Sequence, residues 1–185
     1  DTYVPTTTVT LGTGVNAHAV AYNPNNNKIY VTGFGDNSIT IIDASTLSVI
    51  ARLTNSSVHP LLEPSYIAIE PNSGKVYVTN HAHGRPSGWV TVVDGFTNQI
   101  VKTIYPDPGG ELYGITVDAV HGHIYLAAIN AANIYVVDAA TDTQLGSFQV
   151  RRWSDNQPVP LRMIAVNPNP RGGTKIRLWL TSSSS

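Results

Sequence analysis

Apolar and polar positions divide the chain into short runs rich in Val, Ile, Tyr and Thr, separated by clusters of Asn, Pro, Gly and Ser. No run keeps a 3.6-residue period, and β-branched or aromatic runs bounded by turn residues are typical of β-strands. Inner runs are apolar at consecutive positions, as in Ile39-Thr40-Ile41-Ile42, whereas every fourth run alternates, as in Val101-Lys102-Thr103-Ile104. The pattern predicts an all-β fold whose inner strands are buried on both faces and whose outer strands are buried on one.

The order of these runs repeats along the chain. The hexamer "KIYVTG" recurs as "KVYVTN" and again as "HIYLAA", which places tyrosines 47 and 48 residues apart at Tyr30, Tyr77 and Tyr125. Each unit then ends its third run with an aspartate, at Asp43, Asp94 and Asp138. A period in the forties with four short strands per unit is typical of β-propeller blades. We therefore predict four-stranded antiparallel blades at about 15–53, 64–104 and 111–150 within one propeller spanning 1–181.

A fourth unit begins at the end of the sequence but supplies only two strands. Residues 159–181 contain a first strand, a turn and a second strand, where Trp179 is expected at the position of the repeating tyrosine; a Ser-rich tail follows at 182–185. Residues 6–12 resemble an outer strand without a blade. Three arrangements are open: a four-bladed ring closed by the N-terminal strand, part of a longer ring, or a blade completed by a neighbouring subunit.

At these repeats the chain resembles the YVTN-type β-propeller repeats, named for the tetrapeptide present at Tyr77-Val78-Thr79-Asn80. The resemblance runs from about Thr8 to Thr181, and Leu126-Ala127-Ala128 departs from it. Related propellers occur in archaeal and bacterial surface-layer proteins, and more distant relatives include lactonases and metal- or haem-bearing redox enzymes. The resemblance implies a cell-surface propeller with a structural, assembly or protein-binding role, such as a subunit of a surface layer or filament.

Composition narrows the classes of partner and the expected location. A net charge of −1 and a charged fraction of 12% provide no basic patch for nucleic acid. No apolar run is long enough for a transmembrane helix, and the absence of cysteine removes thiolate metal sites. Thr, Asn and Ser supply most of the polarity, and Asn55 begins the single N-glycosylation sequon. We expect an extracellular or cell-surface glycoprotein.

Histidines are the residues with the clearest capacity for chemistry. In a propeller, the loops between second and third strands lie on the same face as the connections between blades, and these segments carry His18, His59, His81 and His83. Two neutral imidazoles one residue apart can hold a transition metal. We predict His59, His81 and His83 as candidate ligands, with a carboxylate from Asp36, Asp107 or Glu111. The alternative is that these histidines are ordinary polar loop residues.

The remaining candidates have simpler explanations. Each repeating aspartate begins an Asp-x-x-Thr sequence, which predicts that the carboxylate accepts backbone N–H bonds in a tight turn. Trp89 and Trp153 lie in insertions that break the repeat, so they are candidate contacts for a partner. No nucleophile, dinucleotide or phosphate-binding motif is present.

Together these patterns favour a non-enzymatic propeller without a cofactor, whose partners are other subunits or further blades. The alternative hypothesis is a redox or lactonase-like hydrolytic propeller with a metal bound on the histidine-bearing face.

Overall fold

The computed structural model describes residues 7–106, 109–152, 154–159, 161–167 and 175–179. Blade 1 consists of β1 Ala17–Asn23, β2 Lys28–Gly33, β3 Ser38–Asp43 and β4 Val49–Thr54. Blade 2 consists of β5 Pro64–Ile69, β6 Val76–Asn80, β7 Trp89–Asp94 and β8 Gln99–Ile104. Blade 3 consists of β9 Leu112–Asp118, β10 His123–Ala128, β11 Asn133–Asp138 and β12 Thr143–Gln149. A hairpin of β13 Met163–Asn167 and β14 Lys175–Trp179 follows.

Each blade is a four-stranded antiparallel sheet with its strands in chain order, and β13 pairs antiparallel with β14. The predicted all-β class and the four-stranded antiparallel sheets are therefore confirmed. The described ranges contain no helix, and hence none that could cross a membrane. Residues 7–12 are not part of a strand, which corrects the expectation of an outer strand there, and Thr6 lies outside the described residues.

The register of the hairpin corrects the predicted alignment of the fourth unit. In blade 1, Lys28 pairs with the last residue of β1, and Tyr30 follows two positions later. In the hairpin, Lys175 pairs with the last residue of β13, so Arg177 occupies the position of the tyrosine and Trp179 lies two residues beyond it. Seven residues separate β13 from β14, compared with four between β1 and β2, and a shift of two residues in a strand leaves the same side chains on the same face. The alternation of the sequence therefore could not reveal the shift.

The blades stack face to face, and their inner strands β1, β5, β9 and β13 are neighbours in that order. Because successive side chains in a strand point to opposite faces, Val76 and Val78 of β6 pack against blade 1 and Tyr77 packs against blade 3. Three apolar clusters result. They include Tyr30, Ile39, Ile41, Val76 and Val78 between blades 1 and 2; Tyr77, Val92, Ile124, Leu126 and Tyr135 between blades 2 and 3; and Tyr125, Ile134, Leu161 and Ile164 between blade 3 and the hairpin segment.

The repeating lysine and tyrosine fasten blade 1 to blade 2 and blade 2 to blade 3, an arrangement that we call the interblade latch. The Tyr77 hydroxyl donates to Asp142 Oδ1 at 2.6 Å, and Lys75 Nζ lies 2.8 Å from Asp142 Oδ2. One repeat earlier, Tyr30 and Lys28 donate to the carbonyl of Gly95, at 3.2 and 2.8 Å. Burial, together with the Asp142 hydrogen bond, raises the pKa of Tyr77, so the phenol remains a donor.

The threonine of the tetrapeptide connects the inner strands of adjacent blades. Thr79 Oγ1 accepts the N–H of Tyr66 at 3.1 Å and donates to the carbonyl of Tyr113 at 2.8 Å. The N–H of Tyr66 requires this acceptor because the register of β5 shifts between Pro64 and Ile67 as it pairs with β6. Asn80 completes the motif by accepting the N–H of Leu62 and donating to Thr91 Oγ1. All four tetrapeptide residues are fully buried and structural.

The repeating aspartates each cap a turn, as predicted. Asp43 Oδ1 accepts the N–H groups of Ser45 and Thr46, both at 2.8 Å, and Asp138 Oδ1 accepts those of Ala140 and Thr141. In all three turns the hydrogen bond from the backbone N–H of the threonine is the main cause of a lowered aspartate pKa. The structural explanation of the three carboxylates is confirmed.

These turns predict acid sensitivity. A carboxylate with a lower pKa in the folded state contributes stability above its unfolded pKa of about 3.9, and this contribution is lost as the pH falls through the folded value. We expect the free energy of unfolding to decrease below about pH 4 in urea titrations. The triple variant Asp43→Asn, Asp94→Asn, Asp138→Asn should flatten this decrease, because an amide oxygen still accepts the N–H bonds but does not titrate. Asp155→Asn, in an exposed turn, is the control; equal acid slopes in all three proteins would refute the assignment.

Candidate functional site

The turns and loops divide into two faces because the strands run antiparallel in chain order. The upper face carries the loops β2–β3, β6–β7 and β10–β11 and the connections between blades. The lower face carries the remaining turns, including the aspartate turns and the interblade latch. The predicted histidines His18, His59, His81 and His83 belong to segments of the upper face.

His81, His83 and Glu111 form the main cluster of possible ligands on the upper face. One side-chain donor atom from each lies within 4.8 Å of the others. His81 directly follows β6 and is 8% exposed, with its Nε2 3.2 Å from Glu111 Oε2 and its Nδ1 3.6 Å from Glu63 Oε2. Ala82 between the two histidines is buried and has a φ of 53°, and the two imidazole centroids are 5.6 Å apart. The two imidazole rings therefore lie side by side, with a left-handed residue between them.

Backbone contacts position the two carboxylates of this cluster. Glu63 Oε2 accepts the N–H of His83 at 2.7 Å, and the Glu63 carbonyl accepts the N–H of His81 at 3.1 Å. The Glu111 N–H donates to Asn130 Oδ1 at 2.9 Å, and the Glu111 carbonyl accepts the N–H of Ile129. Glu63 and Glu111 each stand immediately before the first strand of a blade, so the cluster joins blade 2 to the connection that leads into blade 3.

A continuous surface of rings surrounds this cluster and extends across all three blades; we call it the ring surface. His18 stacks on Phe34 with centroids 5.5 Å apart and meets the edge of Tyr66 at 5.1 Å. Tyr113 meets the edge of His81 at 4.5 Å, and the guanidinium of Arg162 lies 5.9 Å from the Tyr113 centroid. The ring surface consists of His18, Phe34, Tyr66, His81, His83 and Tyr113. Because the first strands of three blades and two loops contribute to it, it is a candidate binding surface that depends on the stacking of the blades.

The other predicted ligands are placed differently. His59 is not in the group of His81, His83 and Glu111; its backbone carbonyl and N–H bond to Ser56 within the connection between blades 1 and 2. Asp36 pairs with Arg52 and accepts a hydrogen bond from Ser38. Asp107 lies outside the described residues. The geometry therefore brings together His81, His83 and Glu111, one of the three predicted carboxylates, and leaves out His59.

The predicted partner contacts also change. Trp89 is the first residue of β7, is only 8% exposed and donates from Nε1 to the carbonyl of Pro60 at 2.8 Å. This corrects the expectation of an available loop tryptophan, because the indole is used to hold the preceding interblade connection. Trp153 lies outside the described residues. Asn55, the glycosylation candidate, is exposed, and its Oδ1 accepts the N–H of Leu61 at 2.9 Å.

A cleft of about 330 Å³ lies on the lower face between blades 2 and 3, lined by residues that include Glu70, Lys75 and Ala139. Its charged groups already have partners: Lys75 joins the latch, and Glu70 accepts N–H bonds from Asn72 and Ser73. Burial acts to raise the pKa of Glu70, but these hydrogen bonds outweigh it and the pKa is lowered. The cleft is therefore a product of turn structure, and the upper face is the stronger candidate site.

Several residues of the upper face were missed by the sequence reasoning, namely Glu63, Phe34, Tyr66 and Tyr113. A signal for two of them was present, since "LEPSY" and "GELYG" both place Glu just before a first strand and Tyr just inside it. Phe34 offered no comparable signal, because the corresponding loops in the other repeats carry His81 and Ile129.

Comparisons with known proteins give information on the fold alone. No family model matches the chain, and no curated protein matches it. Among solved structures, hydrazine synthase of Kuenenia stuttgartiensis is similar with a TM-score of 0.67 and 20% identity, over 90% of this chain and 43% of that one. The WD40 repeats of RRP9 are similar with a TM-score of 0.64 and 10% identity, over 76% and 41% of the two chains.

The structure of U3-55K is similar with a TM-score of 0.66 and 9% identity, over 89% of this chain and 52% of that one. The chain thus spans about half the length of the solved structures it matches. These similarities agree with the stacked four-stranded sheets, and together they identify the fold as propeller-like.

Proposed function

We propose that this chain is a non-enzymatic propeller module with a structural and protein-binding role, in which a strand of a neighbouring copy pairs with the open edge of β14. One observation carries the proposal. β14 pairs with β13 and with no other strand of the described chain, whereas β2, β6 and β10, which occupy the same position in their blades, each pair on both sides.

The unpaired edge of β14 is held in place for pairing. Leu161 and Ile164 are buried in the cluster that joins the hairpin segment to blade 3, so the hairpin is anchored on the preceding blade. The free N–H and C=O groups of an edge strand form a template for an additional strand. An inner blade strand normally has both edges satisfied, and completing β14 would satisfy the remaining backbone groups.

Residues 7–12 are the best candidate for the completing strand. They belong to no strand in the described structure, and Val9 and Leu11 alternate with threonines as a strand with one apolar face requires. Because the donor segment and the acceptor edge lie at opposite ends of the chain, exchange between copies would be head-to-tail and would yield rings or filaments. This chain covers 41–52% of the solved structures that it matches, which supports an assembly with more blades than the described residues supply.

The proposed location is extracellular or at a cell surface. The hydroxyl-rich composition, the charged fraction of 12% and the exposed Asn55 sequon support this location. The similarity of the repeats to YVTN-type propellers supports both the location and the assembly role.

The assembly role is tested by light scattering of the full chain from micromolar to millimolar concentration. We expect the average mass to rise with concentration. Val9→Pro with Thr10→Pro should abolish the rise, because proline cannot donate to a strand ladder at either position. Val9→Ala with Thr10→Ala, which retains both N–H groups, is the matched control and should associate more than the proline variant. A chain that stays monomeric at every concentration contradicts self-assembly.

A further inference from the structure

We propose that His81, His83 and Glu111 bind a divalent transition-metal ion of the zinc type, and that Glu63 orients His81 without binding the ion. This site goes beyond the assembly role and does not depend on it. It rests on the convergence of donor atoms, on the burial of His81 and on an unpartnered imidazole nitrogen.

The distances match those of a metal site. Two ligand atoms about 2.1 Å from a tetrahedral zinc ion are separated by roughly 3.4 Å. His81 Nε2 and Glu111 Oε2 are 3.2 Å apart, and a donor atom of His83 completes a triangle whose sides are all within 4.8 Å. A separation of up to 4.8 Å between donor atoms is longer than the ideal of roughly 3.4 Å. His83 is exposed, however, and its imidazole can turn about its side-chain bonds toward the ion.

The environment of His81 provides a second and independent observation. The His81 side chain is only 10% exposed, and its Nδ1 atom is buried without a hydrogen-bond partner. Leaving such a nitrogen unpaired is unfavourable, because the buried group has lost its hydrogen bond to water. Glu63 Oε2 lies 3.6 Å from this nitrogen and is fixed by the N–H of His83. A small movement on metal binding would make Nδ1–H donate to Glu63, which is the usual outer contact of a metal-bound histidine.

The donor set selects the class of ion. Two imidazoles and one carboxylate suit zinc, copper or nickel, whereas calcium and magnesium prefer sites made entirely of oxygen ligands. The chain has no cysteine to compete for the ion. Three protein ligands leave a fourth position of a tetrahedral ion open. Because His81 and His83 also belong to the ring surface, the ion would lie next to that surface. A water molecule or a side chain of a bound partner can occupy it.

The test is isothermal titration calorimetry of Zn²⁺ into the full chain, freed of purification tags and pre-treated with a chelator. We expect one zinc ion per chain. His81 is too buried to be the first choice for substitution, so the test variants are His83→Ala and Glu111→Gln, which lie at the surface or partly exposed. Glu63→Gln changes a group that does not bind the ion, so it should weaken zinc binding by roughly 10–100-fold. His83→Ala and Glu111→Gln each remove a ligand and should weaken zinc binding by more than this.

His59→Ala is the matched control, because it removes an upper-face histidine that lies outside the proposed ligand group. It should bind zinc with unchanged affinity, and circular dichroism should show that every variant is folded. Binding of no zinc by the folded native chain, or loss of binding in His59→Ala but not in His83→Ala, would overturn the proposal. Light scattering in excess chelator separates the two proposals. Strand exchange does not require the ion, so the average mass should still rise with protein concentration when no metal is bound.

Discussion

Replacement of Tyr77 by alanine is expected to lower the free energy of unfolding by about 3–5 kcal/mol, the range for removing a large buried aromatic side chain. Tyr77 is fully buried between blades 2 and 3, and its hydroxyl donates to Asp142 Oδ1 and to the carbonyl of Ala139. The alanine variant leaves a cavity between the blades and removes the neutral donor that stabilises Asp142. The alanine variant should therefore weaken the apolar cluster and the latch together, because both belong to the interface between blades 2 and 3.

Tyr77→Phe separates the two contributions. It keeps the ring and removes only the hydroxyl, so we expect a loss of about 1–3 kcal/mol from the incompletely satisfied Asp142 and Ala139 groups. Tyr22→Ala is the control, because Tyr22 is 53% exposed and its hydroxyl donates to the half-buried Asn27 at the surface. Chemical denaturation monitored by fluorescence and circular dichroism measures all three. If Tyr77→Ala lowered the free energy of unfolding no more than Tyr22→Ala, the latch would not hold the blades together.

Gly114→Ala is expected to separate the β13–β14 hairpin from blade 3. A Cβ at Gly114 would lie 2.9 Å from the carbonyl oxygen of Arg162 and 2.9 Å from Cα of Met163. These are backbone atoms, so they cannot turn away as a side chain would. Overpacking of this kind costs about 1–3 kcal/mol, and here we expect it as local displacement of the hairpin segment.

Hydrogen exchange followed by mass spectrometry locates the effect. In Gly114→Ala the amides of β13 should exchange faster, while those of β2, β3 and β6 remain protected. Gly146→Ala is the matched control, since an added Cβ at Gly146 on β12 meets no atom within 4 Å. Uniform loss of protection throughout the protein, or unchanged protection of β13, would contradict close packing of this hairpin on blade 3. In the association experiment, Gly114→Ala should also reduce assembly, because the acceptor edge is no longer held.

The two faces of the blades have different roles in this account. On the lower face, the polar residues that repeat are used by the protein itself, in aspartate turns and in the latch. On the upper face, the loops differ from one blade to the next, and the ring surface and the proposed metal site lie among them. Repeating residues therefore explain the stability of the stack, whereas the residues that interrupt the repeat form the proposed binding sites.

Much of the architecture could be predicted because it depends on local pattern. The tyrosine spacing and the Asn/Pro/Gly turns predicted the four-stranded sheets, and the Asp-x-x-Thr sequences predicted the capped turns. Strand alternation and turn chemistry are properties of neighbouring residues, so a single sequence displays them. The pairing of His81 with His83 was equally local, since only Ala82 separates them.

Long-range features could not be predicted in the same way. Glu111 reaches His81 across 30 residues, and Glu63 approaches the same ring from the preceding connection, so only the stacking of blades brings the three together. The register of β14 was misassigned because a shift of two residues preserves the alternation. Trp89 was placed in a loop because its burial depends on Pro60, 29 residues earlier. The sequence by itself thus determined the strands, the turns and the repeating unit, and the tertiary structure decided which side chains meet, because residues distant in the chain are brought together only by packing between blades.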